Sequence, residues 1–143
     1  MKKTILLFII SLGLFAFNVE FSSKEKSPKI KFKYLIVERK NIEYGKNGDF
    51  LFPFKNIGKD TLLIYNVQSS SGCVVCYGPR EPILPGKKNV IKVKYDTKRV
   101  GRFQKTVRVI TNDPLNSPII LTIKGNVLPK EEKVLEDTEN KSQ

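Results

Sequence analysis

The sequence has no histidine and no tryptophan, and it has only two cysteines and one methionine in 143 residues. Without histidine the chain cannot form a Ser-His-Asp triad, a Cys-His pair or a histidine-ligated zinc or copper site. Any catalysis would depend on carboxylates, lysine, tyrosine or cysteine alone. We therefore predict a protein that is not an enzyme, needs no cofactor and holds no metal.

Acidic residues are also scarce, with 14 Asp and Glu against 26 Lys and Arg and a formal net charge of +12. Such an excess is typical of proteins that bind nucleic acid, acidic lipid or polysaccharide, and also of a solvated lysine-rich surface. The basic residues alternate with apolar ones along the chain, which favours the solvated surface. With 40% hydrophobic residues the chain can bury a core and is not a disordered polypeptide.

The first residues have the plan of an export signal. Lys2 and Lys3 precede the apolar run Ile5–Phe17, and polar residues follow it. The run is shorter than the about 20 apolar residues of a membrane span. We predict a signal peptide over residues 1–23, cleaved after Asn18 or Ser23, and a mature protein in the periplasm or cell envelope. An uncleaved signal anchor formed by residues 5–17 is the main alternative, and a buried N-terminal helix is a weaker one.

The other end of the chain is polar and charged. Residues 130–143 contain three lysines and five acids, and only Val134 and Leu135 are apolar. This composition predicts a disordered tail. The net charges of the tail and of residues 1–27 cancel, so the whole excess of +12 belongs to the predicted domain over residues 28–129.

The domain itself shows the two-residue period of β-strands. Phe50, Phe52 and Phe54 fall on one side of a strand, and Ile91 and Val93 alternate with lysines in another. Turn residues (Gly, Asn, Asp and Pro) separate such runs at short intervals. We predict an all-β, immunoglobulin-like Greek-key sandwich of about seven strands, without helices of consequence. The predicted strands lie near residues 29–38, 49–56, 61–68, 80–84, 88–96, 102–111 and 117–127.

Two stretches carry a family resemblance. Residues 82–130, most specifically YDTKRVGRFQKTVRVITNDP (95–114), and FPFKNIGKDTLLIYNVQSSSGC (52–73) resemble a bacterial domain-of-unknown-function family. Its members are small exported proteins, common in the Bacteroidetes and related to hydin-like and major-sperm-protein-like immunoglobulin sandwiches. The resemblance implies the fold and the export but no reaction.

The chain departs from that family at one loop. Most members carry Cys-Gly-Cys where this chain has Ser71-Gly72-Cys73, and Cys76 stands where a proline is usual. A paired thiol of the family must therefore be formed here by Cys73 with Cys76, or be lost.

The C-x-x-C spacing of Cys73 and Cys76 leaves several chemistries to compare. Haem attachment requires a histidine at position 77, which is tyrosine, and a single-chain structural zinc needs four ligands. A two-thiolate Cu(I) site or a zinc shared between chains remains as a minor alternative. A redox dithiol usually depends on a helix N-terminus, and no helix is predicted after Cys73. A disulfide that closes a small loop, or two free thiols, is the favoured interpretation.

The basic residues supply a second candidate site. Strand alternation predicts an anion-contacting surface on one sheet face, without the aromatic stacking positions that sequence-specific nucleic-acid binding requires. Its predicted members are Lys92, Lys94, Arg102, Lys105, Arg108 and Lys124.

Three functions follow from these observations. The leading hypothesis is an exported, non-enzymatic immunoglobulin-like module that binds a protein or cell-envelope component and meets the membrane only if the signal is uncleaved. The second is a periplasmic thiol-disulfide exchange protein that uses Cys73 and Cys76. The third is a polyanion-binding domain that uses the basic sheet face.

Overall fold

The computed structural model describes residues 25–131, and it forms the predicted all-β, immunoglobulin-like sandwich. The predicted signal peptide (1–23) and nearly all of the predicted tail (130–143) lie outside the described residues, and both remain predictions. The strands are β1 (Ile30–Phe32), β2 (Ile36–Ile42), β3 (Asp49–Asn56), β4 (Ile64–Ser69), β5 (Val74–Tyr77), β6 (Lys88–Tyr95), β7 (Gly101–Thr111) and β8 (Ile119–Val127).

The eight strands form two four-stranded sheets. The first sheet has the order β1-β3-β6-β5, and the second has the order β2-β8-β7-β4. All neighbours are antiparallel except β2 and β8, which are parallel. The edges of the first sheet are therefore β1 and β5, and those of the second are β2 and β4.

The core lies between the sheets, because the alternation that the sequence predicts directs one side of each strand inward. Phe50 and Phe52 on β3, Val93 on β6, Val109 on β7 and Ile123 on β8 are all 0–1% exposed. Burying such side chains contributes about 1.5–3 kcal/mol each. This shared core fixes the register of the central strands, since a shift by one residue would turn each apolar set outward.

The predicted strand over residues 29–38 is divided between the two sheets. β1 pairs with β3 in the first sheet, whereas β2 pairs with β8 in the second. The inward positions are even in β1, where Ile30 is buried, and odd in β2, where Val37 packs on the core. This change of phase across Leu35 is incompatible with one regular strand, so the chain crosses between sheets there.

Two further predictions about the strands are corrected. Residues 80–84 form only the single bridge between Leu62 and Ile83, whose N–H and C=O groups bond at 2.9 Å in both directions. Residues 74–77, which we predicted as loop, form β5 beside β6. The four-residue run VVCY between two glycines is too short to show a period, so the turn residues around it dominated the prediction.

The sandwich has two ends that matter below. Residues 25–29 and the loops 57–63, 78–87 and 112–118 form what we call the N-terminal end. Loops 43–48, 70–73 and 96–100, with residues 128–131, form the C-terminal end. Among residues 25–131 no helix is long and apolar enough to cross a membrane.

Candidate functional site

Cys73 lies in the turn that leads into β5 and is 9% exposed. Its Sγ is 2.9 Å from the Ser71 Oγ, and its C=O accepts a hydrogen bond from the Asp96 N–H at 3.0 Å. The two positions that carry cysteines in the resembling family are thus in direct contact here, with a hydroxyl in place of one thiol.

Cys76 lies on β5 and not in a loop, and it packs against the core beside Val74, the other inward residue of the strand. Both cysteines are free thiols in the structure, which is one of the two states that the sequence left open, and a Cys73–Cys76 disulfide stays a prediction. Burial raises the pKa of the Cys76 thiol, which lowers the fraction present as the reactive thiolate. Thiol exchange therefore receives no support from the environment of Cys76.

The backbone of β5 presents hydrogen-bonding groups to solvent on one side. Val75 and Tyr77 lie opposite Lys94 and Lys92, and the Cys73 C=O bonds to β6 through Asp96. In an antiparallel ladder the hydrogen-bonded positions alternate. Positions 73, 75 and 77 are therefore bonded to β6, and the N–H and C=O of Cys76 point to the free edge. Within residues 25–131 no strand pairs with that edge.

The free edge of β5 borders an open groove. The loop that joins β4 to β5 closes one end of the groove, which is lined by Val67, Ser71, Val74 and Cys76 among others. A Cβ atom added to Gly78 would lie 2.8 Å from the Val67 Cγ2, so the chain after β5 runs close to β4. The groove gives an extended segment access to the free backbone groups of β5.

The other three edges carry features that oppose strand addition. β1 has only three residues, and the N–H of Ile30 donates to the Asp113 carboxylate at 2.9 Å. β2 carries three charged residues and a register shift where Asn41 has a φ of 55°. β4 has a register shift between Ile64 and Asn66. Charged side chains, bulges and short strands are the usual protections of a sheet edge.

Of these protective features, β5 has only one, its short length. Its sequence VVCY has no charge and no proline, and its register with β6 is regular. The outward side chains Val75 and Tyr77 are 52% and 51% exposed. The same outer face carries Leu51 at 51% and Val90 at 40%, and Lys92 and Lys94 lie between β5 and Leu51.

The six basic residues that we predicted to share one face are divided among three surfaces. Lys92 and Lys94 lie on the outer face of the first sheet, and Lys92 pairs with Asp49 at 3.7 Å. Lys105 has the inward phase of β7, opposite the buried Ile123. The remaining three, Arg102, Arg108 and Lys124, lie on the outer face of the second sheet.

Part of that last group borders an open depression. Arg102 and Lys124 line it together with Glu38 and Lys40. The Glu38 side chain reduces the net charge of this depression. The six basic residues therefore do not form one basic face. The sequence already indicated the inward side for Lys105, because in a strand every second residue lies on the same side and Lys105 alternates in step with Phe103 and Val107.

Sequence reasoning missed a different set of lysines. Lys31, Lys55 and Lys88 lie directly opposite one another on β1, β3 and β6, and we call them the lysine row. Their positions lie far apart in the sequence, so only the strand order brings them together.

Buried polar residues that hold the N-terminal end were also missed. Asn56 is fully buried, and its amide donates to the C=O groups of Asp60 and Ile83 at 2.8 and 2.9 Å and accepts from Gly58 at 3.0 Å. Every buried side-chain polar atom of residues 25–131 has a partner. These residues fix the loops on which exposed side chains of this end stand.

The sequence matches one family model, over residues 30–127, and its description is "Protein of unknown function (DUF1573)". The chain belongs to this family. The family resemblance drawn from the motifs is thereby confirmed. No curated protein matches the sequence.

Solved structures show similarity in fold. A protein of unknown function from Porphyromonas gingivalis W83 is 14% identical with a TM-score of 0.63, over 75% of this chain and 51% of that one. The chain thus spans about half of that protein. The ASH/PapD-like domain 7 of human CEP192 is 10% identical with a TM-score of 0.60, over 80% of this chain and 94% of that one. The E. coli chaperone DraB is 11% identical with a TM-score of 0.50, over 71% and 56%. At these identities the likeness concerns the fold alone.

Within residues 25–131 no group of three or more His, Cys, Asp or Glu side chains is placed to hold a metal ion.

Proposed function

We propose that this family member works, after export to the periplasm or cell envelope, as a non-enzymatic binding module whose partner is a protein. The partner adds an extended segment to the free edge of β5. The observation that supports the proposal is the uncharged edge VVCY, which has no bulge and no proline, with the N–H and C=O of Cys76 directed outward.

Strand addition would satisfy these backbone groups and cover exposed apolar surface in one step. Main-chain hydrogen bonds supply affinity in such complexes, and alternate side chains supply specificity. A segment beside β5 would place one set of side chains next to Val75 and Tyr77 on the outer face. The other set would enter the groove between β4 and β5, beside Cys76 and Val67.

The charge of the chain argues for a different protein as the partner over a second copy. Two copies with a formal charge of +12 each repel one another. Lys94 lies opposite Val75 on the outer face, and neither ion pair of the described residues includes it, whereas Lys92 is paired with Asp49. An acidic residue that flanks an apolar segment would therefore find complementary charge at Lys94.

Site-specific photo-crosslinking in intact cells tests the proposal. A photoreactive residue at position 75 on β5 is compared with one at position 51, which has similar exposure on the inner strand β3 of the same face. We expect one defined heterologous adduct from position 75 and much less from position 51. Equal yields from both positions, or an adduct with a second copy only, would contradict strand addition by a partner protein.

A backbone variant separates strand addition from contact through side chains. Cys76→Pro removes the outward N–H and spares the hydrogen bonds to β6, and proline is tolerated where a strand N–H faces solvent. Cys76→Ser keeps the N–H and removes only the thiol. We expect the position-75 adduct to be lost in the proline variant and retained in the serine variant. Loss in both would assign binding to the thiol instead.

A further inference from the structure

The lysine row brings three positive charges together without compensation. Lys31 pairs directly with Lys55, and Lys55 pairs directly with Lys88, on the exposed outer face of the first sheet. Directly opposed side chains have Cβ atoms about 4.5–5.5 Å apart, and like charges in such pairs are destabilising. The described residues contain two ion pairs, Lys92–Asp49 and Arg99–Asp96, and neither includes the row.

Edge protection does not account for the row. A lysine on an edge strand opposes aggregation, which explains Lys31 on β1. Lys55 and Lys88 lie on the inner strands β3 and β6, where no edge has to be protected. Three adjacent charges at a cost in stability therefore point to an anionic ligand.

Exposed aliphatic side chains stand on three loops of the N-terminal end, and one of them, Ile57, lines the same depression as the row. Leu115 is 81% exposed, Leu84 is 55% exposed and Ile57 is 44% exposed, each on a different loop. The loops are held in place by hydrogen bonds: the Leu115 N–H donates to Asp113 at 2.9 Å, and the Ile57 N–H donates to the Lys29 C=O at 2.8 Å. Aliphatic side chains on ordered loops in a basic surrounding suit a surface that is both apolar and anionic.

Basic residues outnumber acids in this region even when the exposed acids are included. Eight exposed basic residues of the N-terminal end and the row face three exposed acids. The basic residues are Lys26, Lys29, Lys31, Lys55, Lys59, Arg80, Lys87 and Lys88, and the acids are Glu25, Asp60 and Glu81.

We propose that the N-terminal end is a membrane-docking surface that lies on acidic phospholipid headgroups. Leu115 and Leu84 enter the headgroup layer, and the lysine row contacts the lipid phosphates. Lysine side chains suit this position because they bury an apolar stem and keep the charge in the polar layer. Residues 25–29 also lie at this end, and residue 25 comes eight positions after the end of the apolar run 5–17. The surface is separate from the edge of β5, and its test does not depend on the proposed function.

Because the chain has no tryptophan, a single introduced tryptophan reports on one position. The full 143-residue chain is prepared as Leu115→Trp and, for the opposite end, as Val100→Trp, where Val100 is 53% exposed. Each is mixed with vesicles of phosphatidylcholine alone or with added phosphatidylglycerol. We expect a blue shift and quenching by brominated lipid for Leu115→Trp on the acidic vesicles, and neither for Val100→Trp.

The neutral vesicles separate docking from insertion of residues 5–17, which does not require acidic lipid. Equal shifts at both positions, or a shift on neutral vesicles as large as on acidic ones, would overturn the proposal. If Leu115→Trp fails to fold by circular dichroism, Leu84→Trp serves as the reporter with the same expectation.

The charge component is tested by neutralising the row. Each lysine near an acidic surface contributes about 1 kcal/mol, so the Lys31→Gln, Lys55→Gln, Lys88→Gln triple variant should bind acidic vesicles about 100-fold more weakly. The matched control is the Lys94→Gln, Lys98→Gln, Arg102→Gln triple variant, which removes the same charge near the C-terminal end. Equal weakening by both variants would show that only net charge matters and would refute a docking surface at the row.

Discussion

The two ends of the sandwich are held by different chemistry. At the C-terminal end the Tyr95 ring stacks on Phe103 at a centroid distance of 3.7 Å, and Phe50 meets Phe103 edge-on at 5.9 Å. At the N-terminal end the buried polar side chains of Asn56 and Asp113 bond to the backbone of the loops. The C-terminal end thus combines aromatic packing with hydrogen bonds from Thr97 and Arg39 to backbone C=O groups, and the N-terminal end has buried polar side chains that bond to several loops.

This difference affects how firmly the loops at each end hold their exposed side chains. Buried polar groups specify individual N–H and C=O partners, and they leave a loop with one conformation. The N-terminal end can therefore hold exposed aliphatic side chains at fixed positions, as a docking surface requires.

The largest expected effect concerns the aromatic end. Phe103→Ala removes the ring that joins Tyr95 and Phe50 and leaves a cavity, and we expect a loss of about 3–5 kcal/mol in the free energy of unfolding. Urea denaturation measures it. Phe103→Leu should lose much less, because it keeps most of the apolar volume. Equal losses would show that the ring stacking is not what closes this end.

Asn56→Ala should have the next largest effect, at the polar end. It removes the buried hydrogen bond to the Ile83 C=O and the partly buried ones with Asp60 and Gly58, and we expect a loss of about 2–3 kcal/mol. Thermal and urea unfolding provide the measurement. Asn89→Ala is the control, since Asn89 is exposed and accepts only from its neighbour Val90. A cost for Asn56→Ala as small as that of the control would contradict the role of the amide.

Asp113 should make the polar end sensitive to acid. Burial acts to raise the pKa of its carboxyl, but hydrogen bonds from the Asn116 side chain and from the N–H groups of Ile30, Leu115 and Asn116 outweigh burial and lower that pKa. Its contribution to stability is therefore present above the unfolded value of about 3.9 and is lost as pH falls through the lower folded value.

Substitution of Asp113 tests this link directly. We expect Asp113→Asn to cost about 2 kcal/mol at neutral pH and to flatten the dependence of stability on pH below about 4. Unfolding midpoints across the acid range measure both effects. Asp60→Asn is the control on the same end, because Asp60 is exposed and its carboxylate accepts only from the adjacent Thr61 N–H. An acid profile that Asp113→Asn does not alter would contradict this assignment.

The smallest expected effect concerns Arg39, which crosses from β2 to the first sheet at the C-terminal end. Its Nη1 donates to the C=O groups of Asn47 and Asp49 at 3.0 Å, and its guanidinium lies 5.5 Å from the centre of the Phe50 ring. We expect Arg39→Met to lose about 1 kcal/mol by urea denaturation, since the apolar stem is kept. The exposed Arg108→Met should be neutral. No difference between them would show that Arg39 does not join the sheets.

The long strands were predictable from the sequence because their side-chain period is regular. Residues 49–56 were predicted and observed as β3, and β6, β7 and β8 differ from the prediction by one or two residues at their ends. The crossing at Leu35 and the short strand β5 were not predictable by the same means. A change of phase or a four-residue run gives too few positions to establish a period.

The candidate sites were predictable only in part, and for a related reason. Proximity in sequence identified Cys73 and Cys76, but their surroundings depend on β6 and β4, which lie elsewhere in the chain. The lysine row depends on the pairing of β1 with β3 and of β3 with β6. Alternation tells which face a side chain takes on its own strand, and it does not tell which strands are neighbours.

The parallel pairing of β2 with β8 has a mechanical consequence. β2 lies near the beginning of the described chain and β8 near its end, and the chain enters and leaves at opposite ends of the sandwich. Once tension between the termini has separated the three residues of β1 from β3, it acts along the β2–β8 ladder and strains its hydrogen bonds together instead of opening them one after another. A domain that is held at its first residues and pulled at its last would therefore be loaded in shear. It would resist extension because several hydrogen bonds would have to break at once.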